Sequence, residues 1–508
     1  MKVLSTVSAV LASSLIAQSA NAGFVTTSST AFEKDGEPFY VFGTNAYWAS
    51  EITWSEANLK TIFSTMAKND LTVCRLWGFA DLTEAGTAPW NIVYQLWENG
   101  KPTVNTGDNG LGYFDLVVAA AKAAGVKLVV PFVNNWSDYG GIDVYVKQLG
   151  GTYHDDFYTN TKIKAAYKNF VKTFVNRYKD EETIMAWQLC NECRCAGSGG
   201  DSGLKESGNC TTTTLTDWIT EMSSYIKTLD SNHLVASGSE GFMNTDKSVY
   251  LYSGPSGVDF DANLAIDSID YGSYHAYPDS WGVETAEAKS WGVQWIDDHT
   301  ASGTKAGKPV VLEEYGVKPL DSAAYVAWSD EVLLKKSHMQ YWQFGVKSLD
   351  TTDDGYTIYD TDTLFTSAIA KAAAKFAALG GSSTNSTSSA TTTTTAPSTA
   401  SVAGEASTDT EPSVTDSSTT DDSAASTDDG STAESTEASS DDTTEPSATG
   451  STASTSASTD ASSDATPSTA SSQSSTPTTT DAPETPTTTS APSTDNTSDK
   501  CSVRRRRA

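Results

Sequence analysis

The stretches Ile184-Met-Ala-Trp-Gln-Leu-Cys-Asn-Glu192 and Pro309-Val-Val-Leu-Glu-Glu-Tyr-Gly316 each run as a short apolar segment into a glutamate. Short apolar runs that end in polar residues or glycine are typical of buried strands in a parallel sheet. The same pattern predicts eight strands in all: Phe39–Tyr47, Thr72–Trp77, Lys127–Asn134, Ile184–Glu192, His233–Glu240, Ile266–Tyr277, Pro309–Tyr315 and Met339–Phe344.

Helical patterns separate most of these segments, among them Tyr113–Gly125, Thr161–Tyr178, Thr216–Leu229, Ala324–Lys336 and Leu364–Leu379. Ser55 precedes Glu56 as a predicted helix cap, and Gly125 closes the Tyr113–Gly125 pattern as a predicted helix end. The segment 241–265 contains no clear helical pattern. Eight alternating units predict an α/β protein with a (β/α)8 TIM barrel.

The two ends of the chain differ in composition from residues 23–380, which we assign to the barrel. Lys2 is followed by an apolar run from Val3 to Ala17 and by the small-residue sequence Ala20-Asn21-Ala22. This order is typical of a secretory signal peptide cleaved after residue 22, so residues 1–22 predict a secreted protein. We expect no membrane span, because no other long apolar stretch exists.

Residues 381–508 are expected to form a disordered tail. The tail is rich in Ser, Thr and Pro, lacks Phe, Trp and Tyr, and carries much of the formal net charge of −31. Such a composition cannot bury enough apolar surface to fold. The tail is interpreted as an O-glycosylated stalk or as a solubilising extension. It ends in the basic cluster Arg504–Arg507, and attachment to the cell wall or surface stays open.

Polar and aromatic residues gather where the predicted strands end, and in a barrel these ends share one face. Any single residue of this kind is more often a cap, a loop residue or part of the core than a functional group. The coincidence of many such residues predicts one cleft. Within it, Glu192 and Glu314 form a carboxylate pair of the type that cleaves glycosidic bonds.

Several motifs occur in the same order as in a known family. They are Phe42-Gly-Thr-Asn-Ala-Tyr-Trp48, Val73-Cys-Arg-Leu-Trp-Gly-Phe79, Asn134-Asn-Trp-Ser-Asp-Tyr-Gly-Gly141, Asn191-Glu192, Tyr274-His-Ala-Tyr-Pro-Asp-Ser-Trp281, Glu313-Glu-Tyr-Gly316 and Tyr341-Trp-Gln-Phe-Gly345. Together they resemble the endo-β-1,4-mannanases of glycoside hydrolase family 5. The resemblance spans nearly all of the predicted barrel and none of the tail.

The resemblance implies that Glu192 is the general acid/base and Glu314 the nucleophile of a retaining double displacement. Glu313 is the rival for the second role. Because side chains alternate along a strand, we expect only one of the two neighbours to face the cleft. The resemblance favours Glu314, which precedes the aromatic-Gly pair.

The remaining expected site residues bind substrate or support the carboxylates. Asn191 would bind the sugar 2-hydroxyl, and Arg75 and Tyr277 would keep Glu314 ionised. The other substrate-binding positions implied by the resemblance are His275, Trp342, Trp136 and Arg194.

The resemblance implies neither a metal nor an organic cofactor. Clustered cysteines could suggest zinc, but no second Cys-x2-Cys or His pair accompanies them. We expect Cys195 to pair with Cys210 and Cys74 to lie buried in a strand, while Cys190 and Cys193 either pair or remain free. Cys193 stands where similar enzymes have proline, so the loop around the acid/base is unusual.

The expected partner is a β-mannan polysaccharide, hydrolysed by a monomer. The alternatives are an endo-β-1,4-glucanase of the same family and a non-hydrolytic polysaccharide-binding protein of the wall or surface. No basic patch or phosphate-binding loop indicates nucleic acid as a partner. Asn135-Trp-Ser137 and Asn209-Cys-Thr211 are glycosylation sequons, and we expect the first, at the cleft rim, to be unmodified.

Overall fold

A computed structural model of the chain describes residues 23–83, 92–199 and 203–380. The predicted signal peptide and tail lie outside the described residues. Eight parallel strands form the central sheet: β1 (Phe42–Asn45), β2 (Val73–Arg75), β3 (Lys127–Pro131), β4 (Ile184–Gln188), β5 (Leu234–Ala236), β6 (Gly272–Ala276), β7 (Val310–Tyr315) and β8 (His338–Tyr341).

The strands follow one another around a barrel in the order β5-β4-β3-β2-β1-β8-β7-β6. Two backbone hydrogen bonds bridge the remaining seam between β5 and β6. Asp270 N–H donates to Val235 O at 2.8 Å, and His275 N–H donates to Glu240 O at 3.0 Å. The barrel prediction is therefore confirmed.

Eight principal helices follow the strands: α1 (Glu56–Lys68), α2 (Leu111–Ala124), α3 (Thr161–Tyr178), α4 (Thr212–Leu229), α5 (Phe260–Leu264), α6 (Ala288–Ala306), α7 (Ser322–Leu334) and α8 (Ala370–Leu379). Ser55 Oγ accepts from Asn58 N–H, which caps α1 as predicted. Gly125 ends α2 in the left-handed conformation at φ 73°. The five-residue α5 explains why the sequence shows no clear helix there.

Shorter helices, turns and strands lie outside the central eight-stranded sheet. Additional helical segments are Trp48–Glu51, Gly141–Gln148, Asp156–Thr159, the 3-10 turns Tyr250–Tyr252, Pro255–Gly257, Pro278–Trp281 and Lys347–Leu349, and the π turn Phe365–Ile369. Additional strands are Val25–Ser28, Ala31–Lys34, Glu37–Pro38, Asp81–Leu82, Gln95–Glu98, Lys101–Val104, Phe344–Gly345 and Ile358–Tyr359. Among the described residues, no helix is long and apolar enough to cross a membrane.

The amino-terminal hairpin packs on the barrel end opposite the predicted cleft. Phe32 from this hairpin is buried and packs against Tyr271, just before β6, and His338, the first residue of β8, at ring distances of 5.4 and 4.6 Å. Val73 and Val311, near the starts of β2 and β7, belong to the same apolar cluster. This end of the barrel is therefore filled by apolar side chains, and the carboxyl ends of the strands are left for polar groups.

Candidate active site

The carboxyl ends of β4, β6 and β7 bring Glu192, His275 and Glu314 together. One carboxylate oxygen of each glutamate and one imidazole nitrogen all lie within 4.8 Å of one another. All three side chains are buried to 5% exposure or less. The two glutamates predicted from the strand ends therefore converge, although 121 residues separate them in the chain.

Glu314 accepts hydrogen bonds on both carboxylate oxygens. Arg75 Nη1 donates to Oε1 at 2.6 Å, and the Tyr277 hydroxyl donates to Oε2 at 2.8 Å. Burial raises the pKa of Glu314 above its ordinary value, although His275, Arg75 and the Tyr277 hydrogen bond all lower it. With a donor on each oxygen, the ionised carboxylate is the form that this geometry favours.

Arg75 connects three strands beneath the cleft. Its Nε donates to Gln188 Oε1 at 2.8 Å, and its Nη2 donates to Asn191 Oδ1 at 2.8 Å. Nη1 also donates to Asn45 Oδ1 at 3.2 Å, and the guanidinium lies 4.9 Å from the ring centroid of Trp77. Five N–H donors in a fixed plane make arginine suited to this role.

Glu313 also contacts Arg75, so strict alternation does not separate it from Glu314 as the sequence suggested. The register of β7 against β6 shifts at Glu313, which is the extra residue of a β-bulge. Glu313 Oε1 accepts from Gln188 Nε2 at 2.6 Å, and Oε2 lies 3.4 Å from Arg75 Nε. The two neighbours differ slightly in exposure, since Glu313 is fully buried and Glu314 is 4% exposed.

Glu192 is held from both sides of its carboxylate. His275 Nδ1 lies 2.8 Å from Oε1, and Trp136 Nε1 donates to Oε2 at 2.7 Å. The backbone of Glu192 has φ 56°, in the left-handed region, and its N–H donates to Gly238 O at 2.8 Å. A non-glycine residue in this region is strained, and such residues concentrate at functional sites.

His275 lies between the carboxylates. Burial lowers the pKa of its imidazole, but the surrounding Glu314, Glu192 and Glu313 carboxylates raise that pKa to about 9. This raised pKa favours the imidazolium form of His275 at neutral pH. Its Nδ1 lies 3.5 Å from Glu314 Oε2 as well as beside Glu192, and its Nε2 lies 3.9 Å from Glu313 Oε2.

Arg194, which is partly exposed, and the fully buried Glu240 form an ion pair beside this group. The Arg194 guanidinium lies 4.9 Å from the Trp136 ring centroid and 5.0 Å from that of Phe242. Burial raises the pKa of Glu240 to about 7, with Arg194 opposing the shift and Glu192 reinforcing it. The pair supports the indole that contacts Glu192, so the predicted Arg194 lies at the site.

Asn191 and Trp342 complete the predicted set. Asn191 Nδ2 donates to Asn134 Oδ1 at 3.0 Å, so the orientation of the amide is fixed together with the Arg75 contact. Trp342 Nε1 donates to Asp354 Oδ2 at 2.7 Å. Its ring stacks on Tyr47 with centroids 5.4 Å apart and planes 8° apart. All nine predicted residues thus occupy one connected region.

Comparison with known proteins assigns the chain to a family. A family model described as glycoside hydrolase family 5 β-mannosidase-like matches residues 22–383. The chain belongs to glycoside hydrolase family 5. Mannan endo-1,4-β-mannosidase A of Aspergillus aculeatus is 40% identical to this family 5 hydrolase over 362 residues, which cover 70% of this chain and 91% of that protein.

Other relatives of this family 5 hydrolase agree in sequence and in fold. The probable mannan endo-1,4-β-mannosidase C of Aspergillus terreus is 40% identical, covering 67% of this chain and 88% of its own length. The crystal structure of the endo-1,4-β-mannanase from Rhizomucor miehei superposes with a TM-score of 0.65 at 42% identity, covering 70% of this chain and 99% of that one.

Two disulfides of the family 5 barrel involve cysteines that flank Glu192 in the sequence. Cys195 pairs with Cys210 as expected, and Cys190 pairs with Cys193, which resolves the alternative left open by the sequence. Cys74 is buried in β2, as expected, and forms no disulfide with another described cysteine. Glu192 therefore lies inside a disulfide loop of four residues.

A metal ion could in principle be held by Glu192, His275 and Glu314, whose potential ligand atoms are close enough. The charges already present oppose it. Arg75 occupies one oxygen of Glu314 at 2.6 Å, and the imidazolium of His275 lies between the two carboxylates. A divalent cation would have to displace both positive groups, so the donor set does not fit a metal.

Sequence reasoning left three contributors out of the site. Gln188 bridges Arg75 and Glu313, Tyr47 stacks on Trp342, and Glu240 anchors Arg194. Glu240 ended a predicted strand, so position alone could have flagged it. Gln188 lies within β4 and is fully buried, and a buried glutamine in an apolar strand is the signal that could have identified it.

Proposed function

We propose that this family 5 hydrolase is a secreted, retaining endo-β-1,4-mannanase that cleaves internal bonds in mannan, galactomannan and glucomannan. The observation that carries the proposal is that one carboxylate oxygen of Glu192 and one of Glu314 lie within 4.8 Å of each other. Retaining glycosidases hold their two carboxyl groups about 5 Å apart, whereas inverting enzymes leave room for a water molecule at about 6.5–9.5 Å.

In the first step, Glu192 protonates the departing glycosidic oxygen while Glu314 attacks the anomeric carbon. The glycosidic bond breaks and a covalent glycosyl ester forms on Glu314. Arg75 and Tyr277 orient the attacking carboxylate through the two hydrogen bonds described above. His275 Nδ1 lies 2.8 Å from Glu192 Oε1, close enough to exchange a proton with this acid/base.

In the second step, Glu192 removes a proton from water, and the water oxygen attacks the same anomeric carbon. The ester bond to Glu314 breaks, and two inversions give net retention. Asn191 is suited to bind the sugar 2-hydroxyl, because Arg75 and Asn134 fix its amide orientation. Trp342 forms the floor of the sugar site, and Trp136 and Arg194 line the neighbouring sites.

The choice of mannan rests on relatives. Mannan endo-1,4-β-mannosidases at 40% identity and a solved endo-1,4-β-mannanase at 42% identity match nearly all of the barrel. The catalytic carboxylates by themselves serve gluco- and manno-configured chains equally well. We therefore propose β-mannan as the substrate and a monomer as the active form, with no need for a cofactor.

Secretion is proposed from the predicted signal peptide and the two disulfides, which persist in oxidising compartments. Cleavage after residue 22 would leave the barrel, 23–380, followed by the acidic tail, 381–508. We propose that the tail spaces the barrel from a wall or surface.

The direct test is reducing-sugar release by the purified full chain on glucomannan, galactomannan and carboxymethyl-cellulose. Glu192→Gln and Glu314→Gln preserve side-chain shape and serve as inactive variants. We expect release from both mannans, none from the cellulose, and loss of release in both variants. Cleavage of the cellulose would instead support the glucanase. Binding without release would support the non-hydrolytic alternative.

The stereochemical part is tested separately by proton NMR of a manno-oligosaccharide during hydrolysis. A retaining enzyme releases the β-anomer first, and the α-anomer appears later by mutarotation. Initial release of the α-anomer would contradict the proposed mechanism without affecting the proposed substrate.

A further inference from the structure

The Cys190–Cys193 disulfide encloses only two residues, Asn191 and Glu192. Cys190 is fully buried and Cys193 is 6% exposed, so the bond lies within the packed end of the barrel. We propose that this disulfide is a positioning element that holds Glu192 in the conformation needed for proton transfer. The proposal rests on the proposed function, in which Glu192 is the proton donor.

The backbone of Glu192 has an unfavourable conformation that the disulfide can stabilise. Its φ of 56° lies in the left-handed region, which L-residues with a Cβ avoid. A chain free to relax would favour the right-handed or extended regions. A bond between residues 190 and 193 removes most of that freedom, because a ring of four residues admits few backbone conformations.

Neighbouring strands hold the same short loop through the main chain. Asn191 N–H donates to Val133 O at 2.7 Å, and Glu192 N–H donates to Gly238 O at 2.8 Å. Gly238 has no room for a side chain, since a Cβ there would lie 1.8 Å from Cys190 O. Both residues of the loop are thus anchored to the segments that follow β3 and β5, and the disulfide ties Cys193 back to Cys190.

The position of the carboxylate depends on this backbone. Trp136 Nε1 and His275 Nδ1 contact the two oxygens at 2.7 and 2.8 Å from different elements. Rotation of φ at Glu192 would swing its Cβ and break at least one of these contacts. Loss of the disulfide should therefore weaken proton delivery more than it weakens sugar binding.

The second disulfide provides a matched control. Cys195 and Cys210 enclose a longer loop, with a sequence separation of 15, and Glu192 lies outside it. Removing either bond deletes one disulfide near Glu192, although Cys210 is partly buried whereas Cys190, Cys193 and Cys195 are buried. Only removal of the Cys190–Cys193 bond frees the backbone of Glu192.

Leaving-group chemistry distinguishes positioning from general stability. A mannosyl hydroxyl leaves only when Glu192 protonates it, whereas 2,4-dinitrophenolate leaves without a proton. Misplacement of Glu192 should lower kcat/KM for mannopentaose and leave formation of the glycosyl ester from 2,4-dinitrophenyl β-mannobioside largely unchanged. A general loss of structure lowers both values together.

The experiment compares full-length Cys190→Ala/Cys193→Ala and Cys195→Ala/Cys210→Ala with the wild type on both substrates. We expect the first variant to lose about tenfold in kcat/KM on mannopentaose, equivalent to about 1.4 kcal/mol. We expect its value on the aryl substrate to stay within about twofold, and the control variant to show equal changes on both. Equal losses in the first variant, or no loss, would overturn the proposal.

Two further measurements keep the outcome decisive. If the first variant does not fold, dithiothreitol treatment of the folded wild type replaces it. In that reaction the disulfide is reduced to two thiols while dithiothreitol is oxidised to its cyclic disulfide, and alkylation mapped by mass spectrometry identifies which bond was opened. A wild type inactive on mannopentaose would refute the proposed function itself. If the wild type is active, and opening the Cys190–Cys193 bond leaves the ratio of kcat/KM on the two substrates unchanged, only the positioning role is refuted.

Discussion

Removal of one hydroxyl, in Tyr277→Phe, isolates the support of the proposed nucleophile. The Tyr277 hydroxyl donates to Glu314 Oε2 at 2.8 Å, and both side chains are buried. A hydrogen bond to a charged group contributes about 1.5–3 kcal/mol. At 1.36 kcal/mol per pKa unit, its loss should raise the pKa of Glu314 further, by about 1–2 units.

The direction of the change in the pKa of Glu314 determines how kcat/KM should depend on pH. Glu314 must be ionised to attack, so a higher pKa moves the acid limb of kcat/KM toward higher pH. We expect the limb to shift upward by about 1–2 units, with a loss of about 10–100-fold below it. Activity well above the limb should largely recover. The measurement is kcat/KM on mannopentaose across the pH range in which the protein stays folded.

Tyr274→Phe is the matched control for this substitution. Tyr274 lies in β6, three residues before Tyr277, and is fully buried, but its hydroxyl has no hydrogen-bond partner among the described residues. The control should leave the acid limb in place. A limb that is unchanged in Tyr277→Phe, or that moves equally in both variants, would refute the role assigned to the Tyr277 hydrogen bond.

Other substitutions test separate parts of the account. Glu314→Gln should lower kcat by about 10⁴-fold, whereas Glu313→Gln should lower it by only about 10–100-fold, and similar losses in kinetic measurements of the two would refute the assignment. The pKa of His275 is raised to about 9 from an ordinary 6.5, so its stabilising charge is fully present below about pH 6.5 and is lost as pH rises through about 9. Urea unfolding should therefore show a larger deficit for His275→Gln at about pH 6 than at about pH 10, and equal deficits would contradict this. Peptide mapping after secretion should find glycan on exposed Asn209 and none on Asn135, which is 1% exposed; a glycan on Asn135 would contradict its placement.

The barrel was predictable because its strands are short apolar runs that can be recognised in the sequence. Short apolar runs such as 184–192 and 309–315 are typical of strands in a buried parallel sheet. The helical patterns between them show caps and periodicity, which indicates alternating strands and helices. The helix α3 was predicted with its observed ends, Thr161–Tyr178. The hairpins at 25–38 and 95–104 were missed, because their strands are short and their burial depends on what they pack against.

The sequence predicted which residues belong to the site better than it predicted how their side chains are arranged. Glu192 and Glu314 follow from strand ends, but the bulge that lets Glu313 also reach Arg75 depends on the pairing of β7 with β6. Likewise, the left-handed backbone of Glu192 is a tertiary feature that no local propensity encodes.

The most direct test of the account is to trap the covalent intermediate and locate it. A 2-deoxy-2-fluoro-β-mannobiosyl fluoride should form a glycosyl ester that breaks down slowly, because the fluorine destabilises both transition states while the fluoride leaves readily. Peptide mass spectrometry should find the sugar on Glu314, within the sequence 309–316. A label on Glu313, or turnover without any covalent adduct and with inverted product, would contradict the account.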